Sequence, residues 1–406
     1  LEEHHDIDIF IFFPESATKK FLEEETIKIG RRWATRKALA YQIAYAEHPY
    51  VRAWIRHPGG PVQVDLVGAF MVSEAGKLKS AVDRTRFHTQ YVARKTDEKL
   101  RDQILLTKQF MKGIGVYGAE AKIRGFSGLL CEVLTIAHGT FLELVRSAAE
   151  WSYGHVIDVE SKGKPAKDFS SPLVVIDPTD PNRNAAAAVS ASKLARFIHA
   201  CRCFLESPSE RFFFPRKRRP FTENRLLRLL ESRGTRILLL TFTRPEALDD
   251  VFYPQLERLI SWLRAELHKH GFNTAGPSET AFCEDGNKVF VLFEVQVPSL
   301  SRIEKRHGPK VERKEHVKRF LEKHAAEYPY LEEDHWCVDS KRRFTAPDQL
   351  VSFLIENQGE SIPTHIRKSI SQGWRLVTDR DAISIQSTQV RLLVTQHFAW
   401  KFPWEV

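Results

Sequence analysis

The sequence predicts a multidomain α+β protein. Its 406 residues exceed one ordinary domain and suggest about two to four. The segment IDIFIFF (7–13) has strand character, while KLRDQILLTKQFMKG (99–113) repeats its apolar residues at helical spacing. Later, TRILLLTF (235–242), FYPQLERLISWLRAELHKHGF (252–272) and KVFVLFEVQV (288–297) follow one another as strand, helix and strand. A hydrophobic content of 42% supplies real cores and excludes a disordered chain.

Each element has its own signal. Residues 17–45 are expected to be mostly helical. YVRAWIR (50–56) and VQVDLVGAF (62–70), joined by HPGGP (57–61), read as a hairpin through their Gly-Pro punctuation. From about Gln90 the pattern turns helical, with one helix over 99–113 and a glycine stop at 113–118, a second over 126–151 and a third over 191–207. The turn-rich IDPTDPNRN (176–184) lies between the last two. RFFFPRKRRP (211–220) reads as a basic linker, with Phe212, Phe213 and Phe214 able to dock a domain or an RNA backbone. Beyond it, the β-α-β order suggests a ferredoxin-like or RNA-recognition-type body, followed by a helix at 311–325 and short strands near 336–340 that make an α/β tail. No internal repeat is present.

Charge and cysteines narrow the function. Lys and Arg outnumber Asp and Glu by 61 to 52, a net +9 that favours a polyanionic partner. Cys131, Cys201, Cys203, Cys283 and Cys337 form no CxxC pair and show no Cys/His zinc spacing, which fits a reducing cytosol. No apolar run is long enough to span a bilayer, and no signal peptide is visible. The chain begins almost on a strand, which reads as a missing N-terminal piece.

The chemistry points to carboxylates. Asp6 and Asp8 lie two apart on the first strand, so they are expected on one face, where they repel. Asp65 stands on a strand able to pair beside them. A hard divalent cation such as Mg²⁺, which takes oxygen ligands, offsets that repulsion. Three such acids suit two-metal phosphoryl or nucleotidyl transfer. Paired acids also serve glycoside hydrolysis, but neighbours on one strand are poorly placed to flank a sugar bond on two sides. His4 and His5 point to opposite faces of a strand and make no zinc pair, and GFSG (125–128) lacks the spacing of a nucleophile elbow.

These residues sit in longer blocks: DIDIFIFFPES (6–16), YAEHPYV (45–51), VQVDLV (62–67), KSAVDRTRFH (79–88), GVYGAEAKIRGFSGLLCE (115–132), VIDPTDPNRNAAA (175–187), KLARFIHACR (193–202) and DVFYPQLER (250–258). Together they resemble the archaeal-type (class I) CCA-adding enzymes, the tRNA nucleotidyltransferases. The resemblance implies a polymerase-beta-like nucleotidyltransferase head (1–90), a helical neck (91–207) and a tRNA-binding body and tail (208–406). It implies addition and repair of the 3′-terminal CCA of tRNA from CTP and ATP, without a nucleic-acid template. Asp6, Asp8 and Asp65 fall on the family's catalytic Mg²⁺ ligands. His88, Lys108, Tyr117 and Arg196 fall on its nucleotide contacts, and Thr85, Glu47 and His48 on the surroundings of the site. The partners implied are the tRNA acceptor stem and T-arm, and a second copy of the chain, in the cytoplasm. One feature departs from the family. Its Gly-Ser phosphate-binding motif precedes the first strand and is absent here. A tRNA-binding protein without activity and a poly(A) polymerase of the same superfamily are the competing readings.

Overall fold

In the computed structural model, residues 6–45, 48–73, 79–160 and 170–406 are described. The Asp6 side chain, His4, His5 and Glu47 lie outside that description. The chain divides into two units, one of Leu1–Ala119 with Ile123–Phe214 and one of Glu120–Lys122 with Pro215–Val406.

The first unit opens with β1 (Asp6–Pro14), α1 (Lys19–Lys37), β2 (Ala40–Tyr45), β3 (Pro49–Ile55) and β4 (Val62–Met71). Their order in the sheet is β1-β4-β3-β2, with β1 and β4 parallel and the other pairs antiparallel. The segment expected to be mostly helix over 17–45 is therefore a helix followed by an edge strand. The helix ends where Ala38 turns extended, and Ala40–Tyr45 pairs with β3 instead. Its tyrosines and Ile43 suit a strand as well as a helix, and the neighbouring strand decides. Leu22, Thr26, Gly30 and Ala34 of α1 cover one face of the sheet, where Ala34 clusters with Val51, Ala53, Val64 and Leu66.

The same unit continues as α2 (Thr85–Lys95), α3 (Glu98–Gly113), α4 (Gly128–His138), α5 (Phe141–Ala149), β5 (His155–Ile157), β6 (Leu173–Asp177), β7 (Asp180–Asn184) and α6 (Ala191–Glu206). The single helix expected over 126–151 is two. Gly139 takes φ +77°, a left-handed value that glycine accepts at little cost, and the Thr140 hydroxyl accepts from the Glu143 amide to start α5. The stretch expected as turns forms the hairpin of β6 and β7. RFFFPRKRRP is not wholly a linker either. Phe212 and Phe213 pack with Phe110, Phe141 and Phe204, while Phe214 stays exposed.

The second unit holds α7 (Glu223–Arg233), β8 (Arg236–Thr243), α8 (Asp249–Lys269), β9 (Thr274–Ala275), β10 (Phe282–Asp285), β11 (Lys288–Val295), β12 (Ile303–Lys310), α9 (Lys314–His324), β13 (Tyr330–Glu332), β14 (His335–Lys341), α10 (Pro347–Asn357), α11 (Thr364–Gln372), β15 (Trp374–Thr378), α12 (Asp379–Ile383) and α13 (Thr388–Phe398). The main sheet runs β10-β11-β8-β15, antiparallel throughout, with β9 added at the end of β11. Numbered by appearance, its four long strands lie in the order 4-1-3-2, a split β-α-β arrangement. Helices cover both faces. Leu238, Leu240 and Phe242 join α8, α10 and α11 on one side, and Ile237 and Leu239 join α7, α12 and α13 on the other. This is why RILLLTF reads as a continuous apolar run rather than an alternating one. A separate sheet, β12-β14-β13, carries α9.

Candidate active site

The parallel register of β1 and β4 sets Asp8 beside Asp65 and Asp6 beside Gln63. Residues paired in this way project to the same face of a sheet. Val64 and Leu66 turn to α1, so Asp65 and Asp8 stand on the face that α1 does not cover. Asp8 is exposed and Asp65 is 8% exposed. Two strands thus bring together acids 57 positions apart, as the aspartate pattern predicts.

A residue that sequence reasoning passed over completes this face. Arg52 on β3 lies opposite Asp65 and grips it with a two-pronged fork, Nε to Oδ1 at 3.0 Å and Nη2 to Oδ2 at 2.8 Å. Arg52 Nη2 also donates to the Tyr50 hydroxyl at 2.9 Å. Burial lifts the Tyr50 phenol above its usual value, and the charges of Asp65 and Asp8 add to this against relief from Arg52. Arg52 stands two residues after Tyr50 and four after His48, inside the block YAEHPYV and its continuation. Its charge on an otherwise apolar strand was the available signal.

Helices α3 and α4 and the turn between them supply the second cluster. Lys108 on α3 donates from Nζ to Glu132 on α4 at 2.7 Å. Tyr117 is fixed by a short bridge to Phe126, flanked by Phe126 N donating to Val116 O at 2.8 Å and Gly118 N to Phe126 O at 2.8 Å. Gly125 is required there, because a Cβ would fall 2.0 Å from the Val116 carbonyl oxygen. Where Gly128 opens α4, a Cβ would lie 3.2 Å from the Tyr117 hydroxyl and 3.9 Å from Lys108 Nζ. Lysine and phenol therefore meet at a helix N-terminus capped by Ser127, a setting that favours anions. The Lys112 ammonium sits 5.3 Å from the centre of the Tyr117 ring. Burial holds the Tyr117 phenol above its usual value, so it stays a donor.

His88 and Arg196 are placed differently. His88 Nε2 lies 2.9 Å from Asp177 Oδ2, and Asp177 also accepts from Arg183 at 2.7 Å and from the Thr179 amide and hydroxyl. Burial alone would raise the Asp177 carboxyl, but His88 and Thr179 hold it well below the usual carboxylate range. Thr85 begins α2 one turn before His88. His48 is buried, with Nδ1 3.4 Å from Glu23 of α1, and so sits in the packing of the first unit. Arg196 is 8% exposed on α6 beside buried Leu194 and Phe197. Asp177 and Glu132 were also missed as partners. Their blocks were visible, but pairing across 89 and 24 positions is not written in local spacing.

An α+β chain whose sheet presents paired carboxylates on one face, and whose helices carry a phosphate-suited N-terminus, is built as a nucleotidyltransferase. Comparison with known proteins makes the class specific. Residues 102–214 match the family described as tRNA nucleotidyltransferase, second domain, and 233–379 match the CCA-adding enzyme, C-terminal domain. A CCA-adding enzyme of Archaeoglobus fulgidus is 37% identical over 373 residues, 92% of this chain and 82% of that one. One from Methanosarcina acetivorans is 37% identical over 397 residues, 96% of this chain and 84% of that one. Among solved structures, mtPAP in complex with UTP is a remote likeness, with TM-score 0.37 at 11% identity over 51% of this chain and 57% of that one. The chain belongs to the CCA-adding enzyme family.

Proposed function

We propose that this chain adds and repairs the 3′-terminal CCA of tRNA from CTP and ATP, with no nucleic-acid template. The observation that carries the mechanism is the Asp8–Asp65 register on the open sheet face. Those donors are hard carboxylate oxygens, which fit Mg²⁺. Asp6, Asp8 and Asp65 would hold it, and when bound it activates the attacking hydroxyl and neutralises charge on the leaving pyrophosphate.

The chain's own groups do the rest. Asp65 takes the proton of the tRNA 3′-hydroxyl, oriented by the Arg52 fork. Lys108, now on Glu132, exchanges that carboxylate for the triphosphate, and the Tyr117 hydroxyl donates beside it. His88 is oriented through Nε2 by Asp177, which leaves Nδ1 to serve the nucleotide. Arg196, buried on α6, reads the base edge. Base selection then rests on hydrogen bonds to the base edge, where a wrong base leaves polar groups unpaired.

The head (1–90) and neck (91–207) perform this chemistry. The body and tail (208–406), whose 4-1-3-2 sheet supports a ferredoxin-like reading, grip the acceptor stem and T-arm through shape and phosphate contacts. Two copies of the chain work together in the cytoplasm.

The test is labelled CTP and ATP incorporation by the purified protein on tRNAs lacking all or part of the CCA end. Two C and one A are added in order and then addition stops. Continued addition of A would instead identify a poly(A) polymerase. Asp8→Asn abolishes incorporation and leaves tRNA binding nearly intact. An active Asp8→Asn protein would remove the metal assignment.

A further inference from the structure

The sheet of β12, β14 and β13 has little interior of its own. Across 303–341 only His324, Cys337, Val338 and Ser340 are buried. Modules this poor in apolar core need a staple such as a metal or a disulfide. The structure brings the parts of one together.

Cys337 lies on the central strand, β14. Its cross-strand neighbour on β12 is His307, with Nδ1 3.6 Å from the Cys337 sulfur. From β13, Glu332 Oε2 lies 3.8 Å from the same sulfur. The three ligand atoms all fall within 4.8 Å of one another. Around a tetrahedral zinc ion, with Zn–S about 2.3 Å and Zn–N and Zn–O about 2.0–2.1 Å, ligand atoms stand about 3.3–3.6 Å apart. The cluster needs only small rotations to reach that geometry. Lys305 Nζ donates to both Glu332 oxygens at 2.7 and 2.9 Å, the kind of outer bond that fixes a ligating carboxylate.

We propose that His307, Glu332 and Cys337 form a zinc site that ties the three strands of this sheet together. The ligand types separate it from the head's acids. Thiolate and imidazole select zinc, whereas an all-carboxylate set suits magnesium. Three protein ligands leave the fourth position to water. On binding, the Cys337 thiol proton leaves to solvent as the Zn–S bond forms, so one proton is released per zinc and affinity rises with pH. Neighbouring charge agrees with the site: Lys305 is engaged by Glu332, and Tyr330 bonds to Asp339 rather than to the cluster.

The experiment titrates the purified full chain, stripped with a chelator, with Co²⁺ and then Zn²⁺. One equivalent of Co²⁺ gives a thiolate-to-cobalt charge-transfer band, and Zn²⁺ displaces it. Cys337→Ser and His307→Ala each lose the band and weaken zinc binding by more than the about 10- to 100-fold that an outer-bond change costs. His307 is exposed, so its variant folds even if Cys337→Ser does not, and far-ultraviolet circular dichroism checks both. Cys203→Ser is the control, because Cys203 lies 3.5 Å from His199 and is the competing thiol–imidazole pair. The band survives Cys203→Ser and Asp8→Asn. A band that persists in Cys337→Ser, or Co²⁺ binding with no thiolate band, would overturn the proposal.

Discussion

Asp65 in the first unit and Glu294 in the second each sit on a sheet strand inside a two-pronged arginine fork. Arg52 reaches Asp65 at 3.0 and 2.8 Å, and Arg233 reaches Glu294 at 2.6 and 2.8 Å. Their other neighbours differ. Glu294 also accepts from the Thr235 hydroxyl at 2.6 Å and pairs with His397 Nε2 at 3.0 Å, and His397 Nδ1 in turn meets the Thr280 hydroxyl at 2.7 Å. Glu294, His397 and Thr280 are buried, with Glu294 at 0% exposure, and Arg233 reaches in from an exposed position. Asp65 has no such shell among the described residues. The strand on its other side carries Asp8 in register, a like charge on an open face. The same ion pair is a staple where every neighbour matches the charge. Where a second carboxylate is set beside it, like charges share one face, the arrangement proposed above for the functional site.

The comparison breaks at its strongest point with Asp65→Asn. Single-turnover incorporation falls by at least about 10³-fold, several kcal/mol of lost charge stabilisation, while the melting temperature scarcely moves. Glu294→Ala does the reverse. It leaves buried His397, and Arg233 at the edge of the cluster, without their anion and costs about 3 kcal/mol in urea unfolding, with activity per folded molecule retained. If the two variants showed the same pattern, the distinction between site and staple would be gone.

A pH series sharpens it. Burial alone would raise the Glu294 carboxyl, but hydrogen bonds from His397, Arg233 and Thr235 hold it down at about 2, against an ordinary value of 4.5. A depressed carboxyl stabilises the fold above its unfolded value and loses that contribution as pH falls toward its folded value. Wild-type stability therefore declines between about pH 4.5 and 2 more steeply than that of Glu294→Gln, measured by urea midpoints across that window. The smallest expected effect is at Gly128. Gly128→Ala sets a methyl 3.2 Å from the Tyr117 hydroxyl in an otherwise roomy spot. The KM for CTP and ATP rises several-fold with little loss of stability. An unchanged KM would remove Tyr117 and Lys108 from the nucleotide site.

Much of the site could be read from one dimension. Period-two alternation places Asp6, Asp8 and Asp65 on strands, and a parallel pairing then makes Asp8 and Asp65 neighbours. The blocks around them carried the family. Helix α3 was visible from its apolar spacing, and two of the four strands of the 4-1-3-2 sheet, β8 and β11, from their apolar runs. What failed was ambiguous locally. Ala40–Tyr45 became a strand because β3 offered an edge to pair with, and the helix over 126–151 broke at a glycine whose left-handed φ no periodicity reports.

Partners far apart in the chain were beyond local pattern altogether. Asp177 finds His88, Arg52 finds Asp65, and Cys337, which shows no zinc spacing in the sequence, finds His307 across 30 positions. Side-chain type and spacing settle which face of a strand or helix a residue occupies, because backbone geometry repeats every two or 3.6 residues. Which strand lies beside that face is settled by the packing of the whole sheet. The acids and the family blocks were therefore written in the sequence. The arginine that grips Asp65, the acid that steers His88 and the thiol–imidazole–carboxylate cluster were assembled only by the fold.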